Sequence, residues 1–240
     1  MSDGPAEIPF RPDERQRIAD VYGERARSLP AGYYSLFDPA NLHRLQRRER
    51  ATLDLLESHG IRDLSRLRIC EVGCGAGHEL QRLIGWGAAP ENLAGVDLLE
   101  DRIAAARALL PAADLHVADA RKTPYEDRSF DLVMQLTLFS SVLDPDIRLG
   151  IAREMVRLVK PGGAILWYDM RVVRPGRPLA AMGRAEIGRL FAGCRFDVRP
   201  HTLNPVISRH VCKMSWIIGD IISLLPAAKS HYLALIEPGS

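Results

Sequence analysis

From residue 67 onward, short apolar runs alternate with amphipathic stretches. "LRICEV" (67–72), "NLAGVDL" (92–98), "ADLHVAD" (113–119), "FDLVMQL" (130–136) and "AILWYDM" (164–170) read as buried strands. Between them, "HELQRLIGWG" (78–87) and "LEDRIAAARALL" (99–110) carry helical spacing. So does "DPDIRLGIAREMVRLVKPGG" (144–163), with Asp144 as N-cap, Pro145 next and a Pro-Gly-Gly stop. This order predicts a parallel, doubly wound sheet with helices on both faces. Beyond Met170 the pattern predicts a helix near 184–192, a strand near 194–199, a helix near 207–225 and a closing strand "HYLALIE" (231–237).

Upstream, "DPANLHRLQRRERATLDLLESHG" (38–60) predicts a helix capped by Asp38, opened by Pro39 and ended by Gly60. Its basic run "HRLQRRERA" (43–51) reads as a solvated helix face. The turn "PAGYYSLF" (30–37) before it holds two adjacent tyrosines. Organisation follows as a helical amino-terminal extension or lid over 1–62 and a main domain over 63–240, with substrate-lid elements within 171–228.

The turn after the first strand, "EVGCGAG" (71–77), spends three glycines on alternate positions. Glycine there permits a tight turn and leaves no side chain between backbone and ligand. A dinucleotide fingerprint wants its third glycine at position 78, where His78 stands. The pattern Glu71-x-Gly73-x-Gly75-x-Gly77 instead resembles the first motif of class I S-adenosylmethionine-dependent methyltransferases. Three further stretches strengthen the resemblance: Asp97 ending the second strand, "ADARKTPYEDRSFDLV" around Asp119, and "RLVKPGGAIL" entering the fifth strand. Together they cover about residues 65–170.

That resemblance implies a mostly parallel seven-stranded sheet with an antiparallel last strand, and S-adenosylmethionine as cofactor. It implies that Glu71 and the Gly73, Gly75 and Gly77 backbone hold the methionine end, and that Asp97 holds the ribose. Asp119 and Ala120 would meet the adenine, flanked by Leu98 and Arg121, while Gln135 lines the methionine and substrate edge. Tyr34, with Tyr33, either covers the methionine moiety or anchors the amino-terminal helices. Asp169 and His201 are the candidate bases, and an acidic acceptor would need neither. The carboxylate cluster of the family's metal-dependent subset is not found, so no metal is expected. The helix-forming stretch 204–232 presents Trp216, Ile217, Ile221, Leu224 and Leu225; packing on the core is favoured over a lid role.

Composition narrows the reading. With 47% hydrophobic residues and a net charge of +2, nothing suggests an obligate nucleic-acid partner. The longest apolar stretch (214–228) is interrupted by Asp220 and Pro226 and is too short to cross a bilayer. The amino terminus lacks the pattern of a secretory leader, and Cys70, Cys74, Cys194 and Cys212 lack metal-type pairing. A cytoplasmic setting is expected. The function expected is methyl transfer to a small-molecule acceptor, at oxygen, in specialised-metabolite or glycan biosynthesis. Alternatives are a nicotinamide-dependent oxidoreductase and a non-catalytic cofactor- or partner-binding protein. Oligomeric state is not readable.

Overall fold

The computed structural model describes residues 12–30 and 32–239. The expectation about a leader falls on residues 1–11, outside the described residues, as does Ala31 of the tyrosine turn. Contacts divide the chain into two compact units, Met1–Tyr33 and Tyr34–Ser240. The described part of the first is one helix, α1 (Pro12–Ser28). Helix α2 (Pro39–Ser58) belongs to the second unit. It starts as the sequence predicts, with the Asp38 carboxylate accepting the Ala40 N–H and Pro39 in the first turn.

The second unit is a seven-stranded sheet. Its strands are β1 (Ile69–Val72), β2 (Leu93–Asp97), β3 (Asp114–Val117), β4 (Phe130–Leu136), β5 (Val159–Met170), β6 (Arg195–Leu203) and β7 (Lys229–Glu237). Their order is β3-β2-β1-β4-β5-β7-β6. Strands β1 to β5 pair in parallel, and β7 runs antiparallel between β5 and β6. The order reverses between β1 and β4, which opens a crevice at the carboxyl ends of those strands.

Helices cover both faces. On one, Leu55 and Leu56 of α2 share a core with Leu80 and Leu83 of α3 (His78–Gly85) and Ile103 of α4 (Glu100–Leu109). The other face holds Met155 of α5 (Pro145–Leu158), Ile187 of α6 (Arg184–Leu190) and an aromatic centre. There the Phe139 and Trp167 rings lie 4.2 Å apart, and Trp167 meets Phe191 edge-on at 5.5 Å.

Four expectations change. Helix α5 ends at Leu158, and the Pro-Gly-Gly segment lies inside β5 rather than capping a helix. A Cβ at Gly163 would stand 2.7 Å from the Asp131 carbonyl, so close approach of β5 to β4 explains that glycine. The single helix expected near 207–225 is two, α7 (Pro205–Met214) and α8 (Trp216–Ser223), broken where Ser215 is extended at φ −162°. The basic run of α2 is not a solvated face either. His43 is buried, and Arg48 is sequestered with both Glu79 oxygens at 2.6 Å.

The apolar face of α8 does not pack on the core. Its inward side is made of Gly219, Ser223 and the half-buried Ile222, while Ile217, Ile221 and, just past its end, Leu224 point outward. A Cβ at Gly219 would stand 2.8 Å from Cys212 Sγ, so α8 sits on α7 too closely for any larger residue there.

Candidate functional site

The site forms where β1 ends. Gly73 N and Cys74 N both donate to Val96 O, at 2.8 and 2.9 Å, which draws the turn across the end of β2. Gly73, Gly75 and Gly77 have φ of +78°, +55° and +80°, a conformation in which side chains are strained. Their surroundings differ. A Cβ at Gly73 would meet Leu138 at 3.0 Å and one at Gly77 would meet Leu110 at 3.0 Å, so both are pressed by packing. At Gly75 the nearest neighbour is the flexible Arg102 guanidinium at 3.5 Å, so the backbone there is open to a ligand.

Asp97 joins this turn to the next helix. Its Oδ2 accepts the Gly75 N–H at 2.9 Å and its Oδ1 accepts the Leu99 N–H at 3.0 Å. Arg102 approaches the same carboxylate at 3.7 Å. The turn, the end of β2 and the start of α4 are thus one hydrogen-bonded unit. Leu98, half-buried, lies between the two bonded positions.

Glu71 sits one strand over, level with Gly95 of β2 and Met134 of β4. It is buried, and its Oε2 has no hydrogen-bond partner in the protein. Burial holds its carboxyl well above the usual range, with the charges of Glu79 and Asp97 adding to the rise and Arg48 opposing it. An orphaned buried acceptor is costly unless a ligand supplies a donor.

Asp119 and Ala120 follow β3 at the same edge, both half-buried. Asp119 is engaged with Arg121: the guanidinium Nη2 donates at 2.7 Å and the Arg121 backbone N–H at 2.9 Å. Gln135 is fully buried and paired at both ends, donating to Tyr168 O at 3.3 Å and accepting from Leu138 N at 2.9 Å. Tyr34 is more than half exposed in the turn before α2.

Of the two candidate bases, Asp169 lies at the end of β5. Its Oδ1 accepts the Met170 N–H at 2.7 Å and its Oδ2 the Ser140 N–H at 3.2 Å. Burial raises its pKa to about 6, against these hydrogen bonds. Asp169 and Gln135 together pin the loop after β4, where Thr137 takes φ +62°. His201 lies two strands from β5, directly opposite His231. Burial, then the Lys229 and Arg47 charges, lower its pKa to about 4.

The structure therefore gathers Glu71, the three glycines, Asp97, Leu98, Asp119 and Ala120 around one crevice. Gln135 and Asp169 support its wall, and His201 stands apart. Sequence reasoning passed over Ser140 and Thr137; a threonine in the left-handed region has no sequence signature. It also passed over Arg48 and Tyr168. Arg48 lies 5.2 Å over the Tyr168 ring, and Tyr168 stacks on His231 at 4.8 Å.

Known proteins resemble the chain in sequence and in fold. A family described as "Methyltransferase domain" matches residues 69–163. The phthiotriol/phenolphthiotriol dimycocerosates methyltransferase 1 of Mycobacterium ulcerans (strain Agy99) is 34% identical over 161 residues, covering 62% of this chain and 57% of its own. A phosphatidylethanolamine N-methyltransferase of Cereibacter sphaeroides is 32% identical, over 49% of this chain and 57% of its own. The chain thus spans little more than half the length of these relatives. Among solved structures, geranyl diphosphate C-methyltransferase from Streptomyces coelicolor A3(2) superimposes with a TM-score of 0.62, covering 95% of this chain and 98% of its own at 16% identity. At that identity the likeness concerns the fold.

Proposed function

We propose, from the premise that this chain belongs to the class I S-adenosylmethionine-dependent methyltransferases, that it transfers a methyl group to an oxygen of a small organic acceptor. The observation that carries the reading is the crevice itself: an open Gly75 backbone, the bridging Asp97 and an unpaired Glu71 oxygen meet at the sheet's switch point. These features fit S-adenosylmethionine, which needs an acceptor near its ammonium group, a carboxylate at its ribose and close backbone approach.

When bound, S-adenosylmethionine supplies an electrophilic methyl group on a sulfonium. Glu71 and the Gly73–Gly77 backbone hold the methionine end. Asp97 keeps unused lone pairs for the ribose hydroxyls while bonding Gly75 and Leu99. Asp119 shares its oxygens between Arg121 and the adenine edge, with Ala120 and Leu98 alongside. Tyr34, exposed before α2, covers the methionine side. The chain's main contribution is alignment.

Asp169 acts as a positioning residue. Its carboxylate ties Ser140 and Met170, holding the loop after β4 against the acceptor side of the crevice. His201, lowered to about 4, is a weak proton acceptor. The acceptor oxygen is therefore one acidic enough to ionise without a protein base, a phenol or a carboxylic acid.

The test is incubation with methyl-labelled S-adenosylmethionine and a panel of phenolic, carboxylic, aliphatic hydroxyl and amine acceptors, including lipids, with products identified by mass spectrometry. An O-methyl product that Asp97→Ala abolishes supports the reading. N-methyl products alone move the acceptor to nitrogen, as the name of the Cereibacter relative suggests. No transfer despite cofactor binding supports a binding protein.

A further inference from the structure

Helix α8 is turned inside out for a water-soluble protein. It buries Gly219 and Ser223 and half-buries Ile222, and leaves Ile217, Ile218 and Ile221 exposed on its outer side, with Leu224 and Leu225 exposed just past its end and Met214 exposed at the end of α7. Ile217 is 72% exposed and Leu224 71%. A continuous apolar stripe of this kind, rather than scattered single residues, marks a surface that meets another apolar phase. Beside it, the turn before α2 presents Phe37, fully exposed. That turn is held close to the end of α7, with Lys213 Nζ 3.9 Å from the Asp38 carboxylate.

The charge around this stripe is mostly basic, although Lys213 lies near Asp38. From Pro205 to His231 the chain carries Arg209, Lys213 and Lys229 against a single acid, Asp220. That acid is already answered from α2, with His43 Nε2 at 2.9 Å and Arg47 at 3.5 Å from its Oδ1. On the other flank, Arg171 donates to Pro226 O at 2.8 Å, beside Leu225. An apolar helix face with basic flanks is the composition of an interfacial helix lying in the headgroup region of an anionic bilayer. Among the described residues no helix is long and apolar enough to cross a membrane, so contact would be peripheral.

The position in the fold adds to this. Strands β5 and β6 both run antiparallel to β7, so they share a direction, and β6 ends at the same edge as β1 and β5. Helices α7 and α8 follow β6 from that edge.

We propose that the outer face of α8, with Phe37 and the basic residues flanking it, docks the protein on the surface of an anionic lipid bilayer. This does not depend on methyl transfer, and its test needs no cofactor. The full chain is sedimented with vesicles of phosphatidylcholine, with and without 30 mol% (about one lipid in three) phosphatidylglycerol. Emission of Trp216, at the start of α8, is followed in parallel. The expected result is binding to phosphatidylglycerol-containing vesicles, weakened by salt, with a blue shift of tryptophan emission. The triple variant Ile217→Ser, Ile221→Ser, Leu224→Ser should bind at least about tenfold more weakly with an unchanged melting temperature, because exposed side chains contribute little to folding. Should the triple variant prove unstable, Lys213→Glu serves as a second probe and should weaken binding several-fold. Absence of vesicle binding at every composition overturns the proposal, as does full binding by both variants. So does light scattering that shows a dimer dissolved by the triple substitution without vesicle binding, which would assign the face to a second copy.

Discussion

Asp97 Oδ2 accepts the Gly75 N–H at 2.9 Å, so the carboxylate proposed for the ribose also shapes the turn proposed for the methionine end. The two halves of the crevice are therefore mechanically coupled. Gly75→Ala puts a side chain at φ +55°, which costs about 1–2 kcal/mol, into the one part of the turn that packing leaves open. Cofactor affinity should fall by at least about tenfold, more than the loss of fold stability explains. Comparing the dissociation constant with the melting temperature of the same variant checks this.

A second prediction concerns α8. Gly219→Ala adds a methyl 2.8 Å from Cys212 Sγ and 3.4 Å from His43 Nε2. Overpacking of this kind costs about 1–3 kcal/mol, against a helix-propensity gain of at most about 1 kcal/mol. Thermal unfolding should show a lower melting temperature, partly restored by Cys212→Ala. Ile217→Ser, two residues away on the outer face, should leave it nearly unchanged.

Asp169 sets a pH dependence of stability. Its folded pKa, about 6, lies above the unfolded value, so the folded state holds the proton more tightly. The associated stability is fully present below about pH 4 and is lost as pH rises through about 6, amounting to roughly 3 kcal/mol. Asp169→Asn removes that titration. The variant is less stable at acid pH, having lost a carboxyl acceptor, and the gap to wild type should narrow from pH 4 to pH 7 in urea titrations. A constant gap would mean that Asp169 is not perturbed.

His231 acts with the opposite sign. Burial against the Arg48 and Arg44 charges lowers its pKa to about 3, while Tyr168 stacks on its ring. The unfolded chain binds the proton more readily, so stability rises with pH from about 3 to about 6.5. His231→Gln should flatten this acid limb, as read by melting temperature at pH 4, 5 and 7. It should also lose the stacking contribution at every pH.

Much of the fold was legible because buried parallel strands are written as short apolar runs. "LRICEV" and "FDLVMQL" could be little else between amphipathic helices. Asp38 and Asp144 announced their helices by side-chain chemistry that works locally. What the sequence hid depends on partners far along the chain. The run around Arg48 reads as a solvated face until Glu79, 31 residues on, is placed against it. Isoleucines of α8 look like core because periodicity reports a face, not the direction in which it points. Asp119 was readable as an acid at the site, but its engagement with Arg121 was not.

The most direct test of the central claim is calorimetric titration of the wild-type chain and of Asp97→Asn with S-adenosylmethionine, S-adenosylhomocysteine and NADH. The account predicts micromolar binding of both sulfur compounds, at least about tenfold weaker binding in the variant, and no response to NADH. Binding of NADH, or sulfur-compound affinity unchanged by the substitution, would contradict it.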